Sequence, residues 1–162
     1  MEHKLRRLDR KLVYKGGVLT FYRDTMELPD GRILMIRQMR PAIDRETLEL
    51  PAGARDSLTE DTADTAAREL REETGYRSDK ISPLIKLKTA VAYCSEFTDV
   101  YLAEDLVPAD GQHLDEAEEI NVEAFELETL MEKIYAGEIQ DAKTVAGIMA
   151  YAAKIGRDRS ED

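Results

Sequence analysis

The run Arg68-Glu69-Leu70-Arg71-Glu72-Glu73-Thr74-Gly75 constrains this chain more tightly than any other segment of its 162 residues. Ala63, Ala66, Ala67 and Leu70 repeat at the spacing of one inward helix face, and Gly75 stands where a left-handed cap ends a helix. A helix over about 61–74 therefore places Glu69, Glu72 and Glu73 at i, i+3 and i+4, on roughly one side. Like charges at that spacing repel and weaken a bare helix. A divalent cation removes the conflict, and an oxygen-only donor set suits a hard ion such as Mg²⁺. A solvated charged face, neutralised by Arg68 and Arg71, is the structural alternative for the same residues.

Composition agrees with a compact soluble protein. A length of 162 residues suits one domain, 1–162, with a sizeable core. No apolar run is long enough for a transmembrane helix, and Met1–Arg7 lacks the apolar stretch of a signal peptide, so no membrane partner is expected. The single cysteine, Cys94, cannot form an internal disulfide, which fits a reducing cytoplasm. Lys and Arg number 23 against 34 acidic residues, leaving a net charge of −11. Such a surface repels phosphate backbones and argues against nucleic-acid polymers as partners. Any small phosphorylated ligand would need metal ions and local arginines to offset this field.

Residues 11–14 and 18–28 are rich in β-formers, and Pro29-Asp30-Gly31 reads as a turn closing an N-terminal region of strands, 1–31. Ile33–Ile36 begins a buried strand leading into Arg37-Gln38-Met39-Arg40, and Thr47–Leu50 is a short strand feeding the Pro51-Ala52-Gly53 bend. Two more strands are expected at 84–92 and 98–103, joined by a loop around Cys94-Ser95-Glu96. A polar loop spans Val107–Glu119, with a strand near 120–124 after it. Leu127, Leu130, Met131 and Ile134 mark a helix stopped by Gly137. Asp141 caps a last helix with Ala142, Val145, Ala146 and Met149 inward, and the tail 157–162 is expected to be disordered.

Glu60, Arg68, Glu69, Leu70, Glu72, Glu73, Gly75 and Tyr76 resemble the signature box of the Nudix hydrolases: glycine, five residues, Glu, seven residues, then Arg-Glu-apolar-x-Glu-Glu-x-Gly-apolar. One element departs. The family glycine falls on Ala54, while Gly53 lies one residue earlier. Beyond the box, Arg37–Arg40, Leu48–Gly53 and Gly137–Thr144 are similar to the ADP-ribose and nucleoside diphosphate sugar pyrophosphatase branch, as are Val13–Gly16 and Leu28–Arg32. This likeness implies an α+β fold, a Nudix-like α/β/α sandwich with a mixed sheet flanked by helices. It also reveals a shortened N-terminal strand region. Relatives of the branch carry additional strands, one of them central, between the Leu-Pro-Asp-Gly turn and the strand matching Ile33–Ile36.

The resemblance implies Mg²⁺-dependent hydrolysis of a diphosphate, with Mn²⁺ as a substitute. It makes Glu69 and Glu73 metal ligands, adds the Ala52 carbonyl, and lets Glu72 ligate directly or through water. Arg68 reads as the fork that holds a box carboxylate. Glu60 has two readings, metal site or loop–helix geometry. Carboxylates saturated with metal are poor proton acceptors, so the general base is expected outside the box. Asp115-Glu116-Ala117-Glu118-Glu119 resembles the acidic loop that supplies it, with Glu116 the best match, Glu118 second and Glu96 a third candidate. Glu116, Glu72 and Arg68 form the expected catalytic set; Arg37, Arg40, Glu49 and Glu96 are the expected substrate contacts. Neither His3 nor His113 is expected to take part, and Cys94 reads as a loop thiol.

The expected substrates are ADP-ribose or nucleoside diphosphate sugars, cleaved to a nucleoside monophosphate and a sugar phosphate. Val91 stands where ADP-ribose-specific members carry a proline, which favours nucleotide sugars in general. The alternative is a catalytically silent Nudix-type ligand-binding or regulatory module. A homodimer is implied by resemblance.

Overall fold

The computed structural model describes residues 20–115 and 118–161. Along them run β1 (Thr20–Glu27), β2 (Ile33–Arg40), β3 (Arg45–Glu49), β4 (Ala52–Ala54), α1 (Thr62–Thr74), β5 (Tyr76–Arg77), β6 (Lys80–Lys88), β7 (Phe97–Glu104), β8 (Val107–Pro108), β9 (Ile120–Phe125), α2 (Leu127–Tyr135) and α3 (Ala142–Glu161). The expected strand at 11–14 lies outside the described residues. So do Glu116 and Ala117.

The turn between β1 and β2 needs a left-handed residue, and Gly31 provides it at φ 83°. Its N–H donates to the Leu28 carbonyl at 2.9 Å, while the Leu28 N–H donates to the Arg32 carbonyl at 2.7 Å. The two strands then pair antiparallel only at Met26–Leu34 and Glu27–Ile33 before they part. β3 continues along β2, from Ile36–Glu49 to Arg40–Arg45. β4 continues along β1, from Phe21–Ala54 to Arg23–Ala52. The chain Arg45–Ala54 thus fills the wedge between the parting strands, and its bend at Leu50-Pro51 sits where the wedge narrows.

On its other edge β1 runs parallel to β7 from Thr20–Phe97 to Met26–Ala103. β6 pairs antiparallel with β7, and β9 with β2. β1 is therefore an interior strand of the mixed sheet. Among the described residues, the strand before the turn takes this interior place. β5 and β8 form a separate two-stranded ribbon.

Helices cover both faces, giving the expected α/β/α arrangement. On one face Leu70 of α1 packs with Leu34, Ala103 and Leu106. On the other, Ile33, Met35, Leu48, Leu50 and Leu102 meet Leu130 of α2 and Ile148 and Tyr151 of α3. Alternation along β2 separates the two sets, with Leu34 facing one way and Ile33 and Met35 the other.

Three expectations are corrected. The strand placed at 84–92 is β6 at Lys80–Lys88, and Val91 and Ala92 belong to the turn before β7. The pattern misled because Ala90-Val91-Ala92 is apolar although Val91 is exposed. α3 buries Thr144, Gly147, Ile148 and Tyr151; of the residues expected inward, Val145 packs against the core as expected, Ala146 and Met149 are half-buried, and Ala142 is exposed. Hydrogen bonds set that phase: the Thr144 hydroxyl accepts the Leu50 N–H at 3.1 Å, and the Tyr151 hydroxyl donates to Glu27 at 2.5 Å. A count of apolar residues cannot see two polar side chains turned inward. Finally, α3 continues as helix to Glu161, through most of the expected tail.

Thr144 ties the start of α3 to the bend that the wedge depends on. Thr144→Val should leave the Leu50 N–H buried without its acceptor and cost about 1–3 kcal/mol. Urea denaturation, with an unchanged m-value, would measure it.

Candidate functional site

The helix α1 begins and ends as its sequence dictates. Asp61 adopts extended backbone and accepts the Ala63 N–H at 2.9 Å, the geometry of an N-cap. Gly75 ends the helix at φ 73° and donates to the Arg71 carbonyl at 2.9 Å. Helix C-termini leave carbonyls without partners, and here a second segment supplies them. The Ala109 N–H reaches the Gly75 carbonyl at 2.7 Å and the His113 N–H reaches Glu72 at 2.9 Å. The Gln112 side-chain amide donates to the Glu73 carbonyl at 2.6 Å and to Ile120 at 3.2 Å. Residues 109–113 are thereby strapped across the end of α1. The crossing is close: a Cβ on Gly75 would lie 3.0 Å from the Gly111 backbone.

This strap carries Asp115 and Glu118 over the carboxylates of α1. Together with Ala52, Gly53 and Ala54 of β4, Asp56, Arg68, Glu69, Glu72, Glu73 and His113, they line a cavity of about 410 Å³. Its wall is polar and acidic. Glu73 is 3% exposed and accepts the Ala52 N–H at 2.7 Å, which fixes the β3–β4 bend to the helix. Arg68 sits among the other acids. Its guanidinium donates to Glu69 and Glu72 at 2.8 Å each, to Glu60 at 3.3 Å and to the Ala54 carbonyl at 2.9 Å. Glu60 accepts the Asp56 N–H at 2.6 Å, so it braces the loop ahead of the helix as well as Arg68.

Glu69 fills a space that only glycine leaves. A Cβ on Gly53 would lie 2.0 Å from the Glu69 carboxyl carbon. The glycine standing one residue ahead of the family position is therefore the one whose missing side chain admits the carboxylate. Burial pushes the Glu69 carboxyl up to about 7, against the lowering pull of Arg68, and the charges of Glu72 and Glu118 push the same way as burial. Among the described residues no three acidic, imidazole or thiol groups close into a cation cage. Arg68 draws Glu69 and Glu72 to itself instead. The donors nevertheless fit a hard divalent ion: all are oxygens, and the crowded acids gain from a further positive charge.

The expected substrate residues divide. Arg40 and Glu49 form a two-bond ion pair, 2.8 Å in each bond, with Glu49 3% exposed and also accepting from Thr47 at 2.8 Å. They line a second cavity with Ala42, Ile43, Arg45 and Gln140. Glu73 is near enough to act on the charge of Arg40, so the two cavities are neighbours. Arg37 is not brought there. Three residues from Arg40 on a strand, it faces the opposite side of the sheet and pairs with Glu123 at 2.5 Å. Glu96 stays in the β6–β7 turn, where its carboxylate accepts from the Thr89 hydroxyl, outside the cavity wall. Glu116 lies outside the described residues. Sequence reasoning set His113 aside as an exposed loop residue, yet it stands on the cavity wall; only the fit of Gly111 against Gly75 signals that this loop crosses the helix end.

Residues 20–147 match the NUDIX domain family. The chain is 30% identical over 163 residues to the ADP-ribose pyrophosphatase of Bacillus subtilis (strain 168), covering 86% of this chain and 88% of that protein. It is 28% identical over 160 residues to the methanol dehydrogenase activator of Bacillus methanolicus, covering 84% of this chain and 86% of the other. The fold superposes on the crystal structure of an ADP compounds hydrolase with a TM-score of 0.77 at 22% identity, over 86% of this chain and 74% of that one. Nudix ADP-ribose pyrophosphatases generally use a divalent metal.

Gly53→Ala should leave the helix folded but drive the Glu69 carboxylate from its place, weakening Mn²⁺ binding by about tenfold or more in calorimetric titration. The proton on Glu69 gives a second test. Its carboxyl titrates near 7 when folded against an ordinary 4.5, so the stability it contributes is complete below about 4.5 and is lost as pH rises to about 7. The melting temperature of metal-free protein, compared with Glu69→Gln, should fall across that window and recover when a divalent cation is added.

Proposed function

The chain belongs to the Nudix family, and on that premise we propose that it hydrolyses the diphosphate of ADP-ribose or a nucleoside diphosphate sugar, using Mg²⁺. One observation carries the reading: the Nudix-box carboxylates Glu69, Glu72 and Glu73 share a cavity with the acidic loop residues Asp115 and Glu118. A base outside the metal ligands is what such a reaction needs.

In this reading Glu69, Glu73 and the Ala52 carbonyl hold the metal, with Glu72 bound directly or through water and Mn²⁺ a working substitute. Bound Mg²⁺ neutralises diphosphate oxygens and favours an in-line displacement by water. Arg68 keeps the carboxylates of α1 at one place on the helix face. Glu116 takes the proton from the attacking water, and Glu118, on the same loop, is the next in line. Arg40 and Glu49 orient the sugar or nucleoside end, a role supported by the two-bond pairing of a half-exposed Arg40 with a buried Glu49 near Glu73. The balanced step adds one water across the phosphoanhydride and yields a nucleoside monophosphate and a sugar phosphate. From ADP-ribose these are AMP and ribose 5-phosphate.

We read residues 1–162 as one Nudix domain, acting as a homodimer in the cytoplasm. The single thiol, Cys94, supports a reducing compartment, and Val91 and Tyr93, 82% and 86% exposed, offer apolar surface for a second copy. No helix among the described residues is long and apolar enough to cross a membrane. The likeness to an activator protein keeps a regulatory role as the second reading, but the retained box glutamates favour catalysis.

A panel of ADP-ribose, ADP-glucose, GDP-mannose and diadenosine polyphosphates with Mg²⁺ and a coupled phosphatase tests this. ADP-ribose or a nucleotide sugar should be turned over, and Glu116→Gln should lower kcat by at least about 100-fold with KM nearly unchanged. An unaltered rate in that variant would transfer the base role to Glu118. No release from any substrate would leave the regulatory reading.

A further inference from the structure

The cavity wall carries six carboxylates, Asp56, Glu69, Glu72, Glu73, Asp115 and Glu118. A diphosphate brings further negative charge, so it needs hydrogen-bond donors besides any cation. Two described side chains on the wall have N–H groups, Arg68 and His113. Arg68 is committed, since its three nitrogens already donate to Glu60, Glu69, Glu72 and the Ala54 carbonyl. His113 is held differently. Its backbone N–H is fixed to the Glu72 carbonyl at 2.9 Å, which anchors the residue beside the carboxylates of α1. Its imidazole meets Asp110 at 3.4 Å, whereas Arg71 donates to the same carboxylate at 2.6 and 2.9 Å. Asp110 is therefore satisfied by Arg71, and the imidazole can turn from it into the cavity at little cost.

We propose that His113 is a substrate-binding residue whose imidazole N–H donates to an oxygen of the bound diphosphate. The inference rests on the diphosphate hydrolase reading above and deepens it by naming a ligand contact on the strap. The backbone anchor holds the residue on the cavity wall beside the acids. The contact forms with substrate and is not consumed in the reaction, so it raises affinity rather than turnover.

The test is steady-state kinetics of the Mg²⁺-loaded enzyme on whichever panel substrate is turned over. His113→Ala should raise KM about tenfold, as expected for a hydrogen bond to a charged group, with kcat changed less than about twofold. The backbone N–H to Glu72 survives this substitution, so the melting temperature should not move. His113→Asn and His113→Gln each keep an N–H donor, and at least one should recover most of the lost affinity. An unchanged KM in the alanine variant overturns the inference, as does a raised KM that neither amide restores. Should wild-type protein turn over none of the panel, the functional reading fails first; wild-type activity with an indifferent His113 sinks this inference alone.

Discussion

Arg68 is the interaction on which the site depends. Three glutamates on one helical face would fray a helix that had to hold them unaided. Arg68 lies on the same helix and answers two of them at 2.8 Å, while Glu73 is held instead by the Ala52 N–H. The crowding is thereby divided between a side chain of α1 and the backbone of β4. A third tie, from Arg68 to the Ala54 carbonyl, fastens helix and bend to each other. Glu69 and Glu72 are accordingly held by a guanidinium and Glu73 by a backbone N–H, and among the described residues they do not close into a cation cage.

The sheet serves the same end. β1 and β2 part after two residue pairs, and the chain that fills their wedge turns at Pro51 beside Glu73. The bend is thus pinned by strand pairing on both sides, by Glu73 below it and by Thr144 of α3, which accepts the Leu50 N–H. Catalytic geometry held from rigid elements is tighter than geometry held from loops. The acidic segment after the strap lies outside helix and strand where it is described, and its approach is set by Gln112 and His113 at the end of α1.

Most of the helix was legible in the sequence, because the glycine cap, charge spacing and apolar period all point to nearly the same span. Leu70 and Gly75 do what their residue types imply, while Asp61, counted within the expected span, is the N-cap. Features that depend on the partner of a side chain were not legible. The face of α3 follows Thr144 and Tyr151, whose burial is set by acceptors and donors far away in the chain. Arg37 and Arg40 look equivalent as strand-end arginines, yet strand alternation sends them to opposite sides. His113 reads as a solvated loop residue until the loop is seen lying across α1. The displaced glycine was visible as an irregularity of spacing; its meaning needed the position of the Glu69 carboxylate.

Placing β1 at the centre of the sheet has a consequence for how the molecule is made. Its longest pairing is with β7, which lies far along the chain, and the pairing is parallel, so no tight hairpin can deliver it. Contacts of such sequence separation form late and slow the search for the native topology. During synthesis β2 and β4 emerge early enough to pair with one edge of the strand, but its other edge waits unpaired until Phe97–Glu104 has left the ribosome. The edge of β1 that β7 must cover is therefore the one most in need of protection from neighbouring chains.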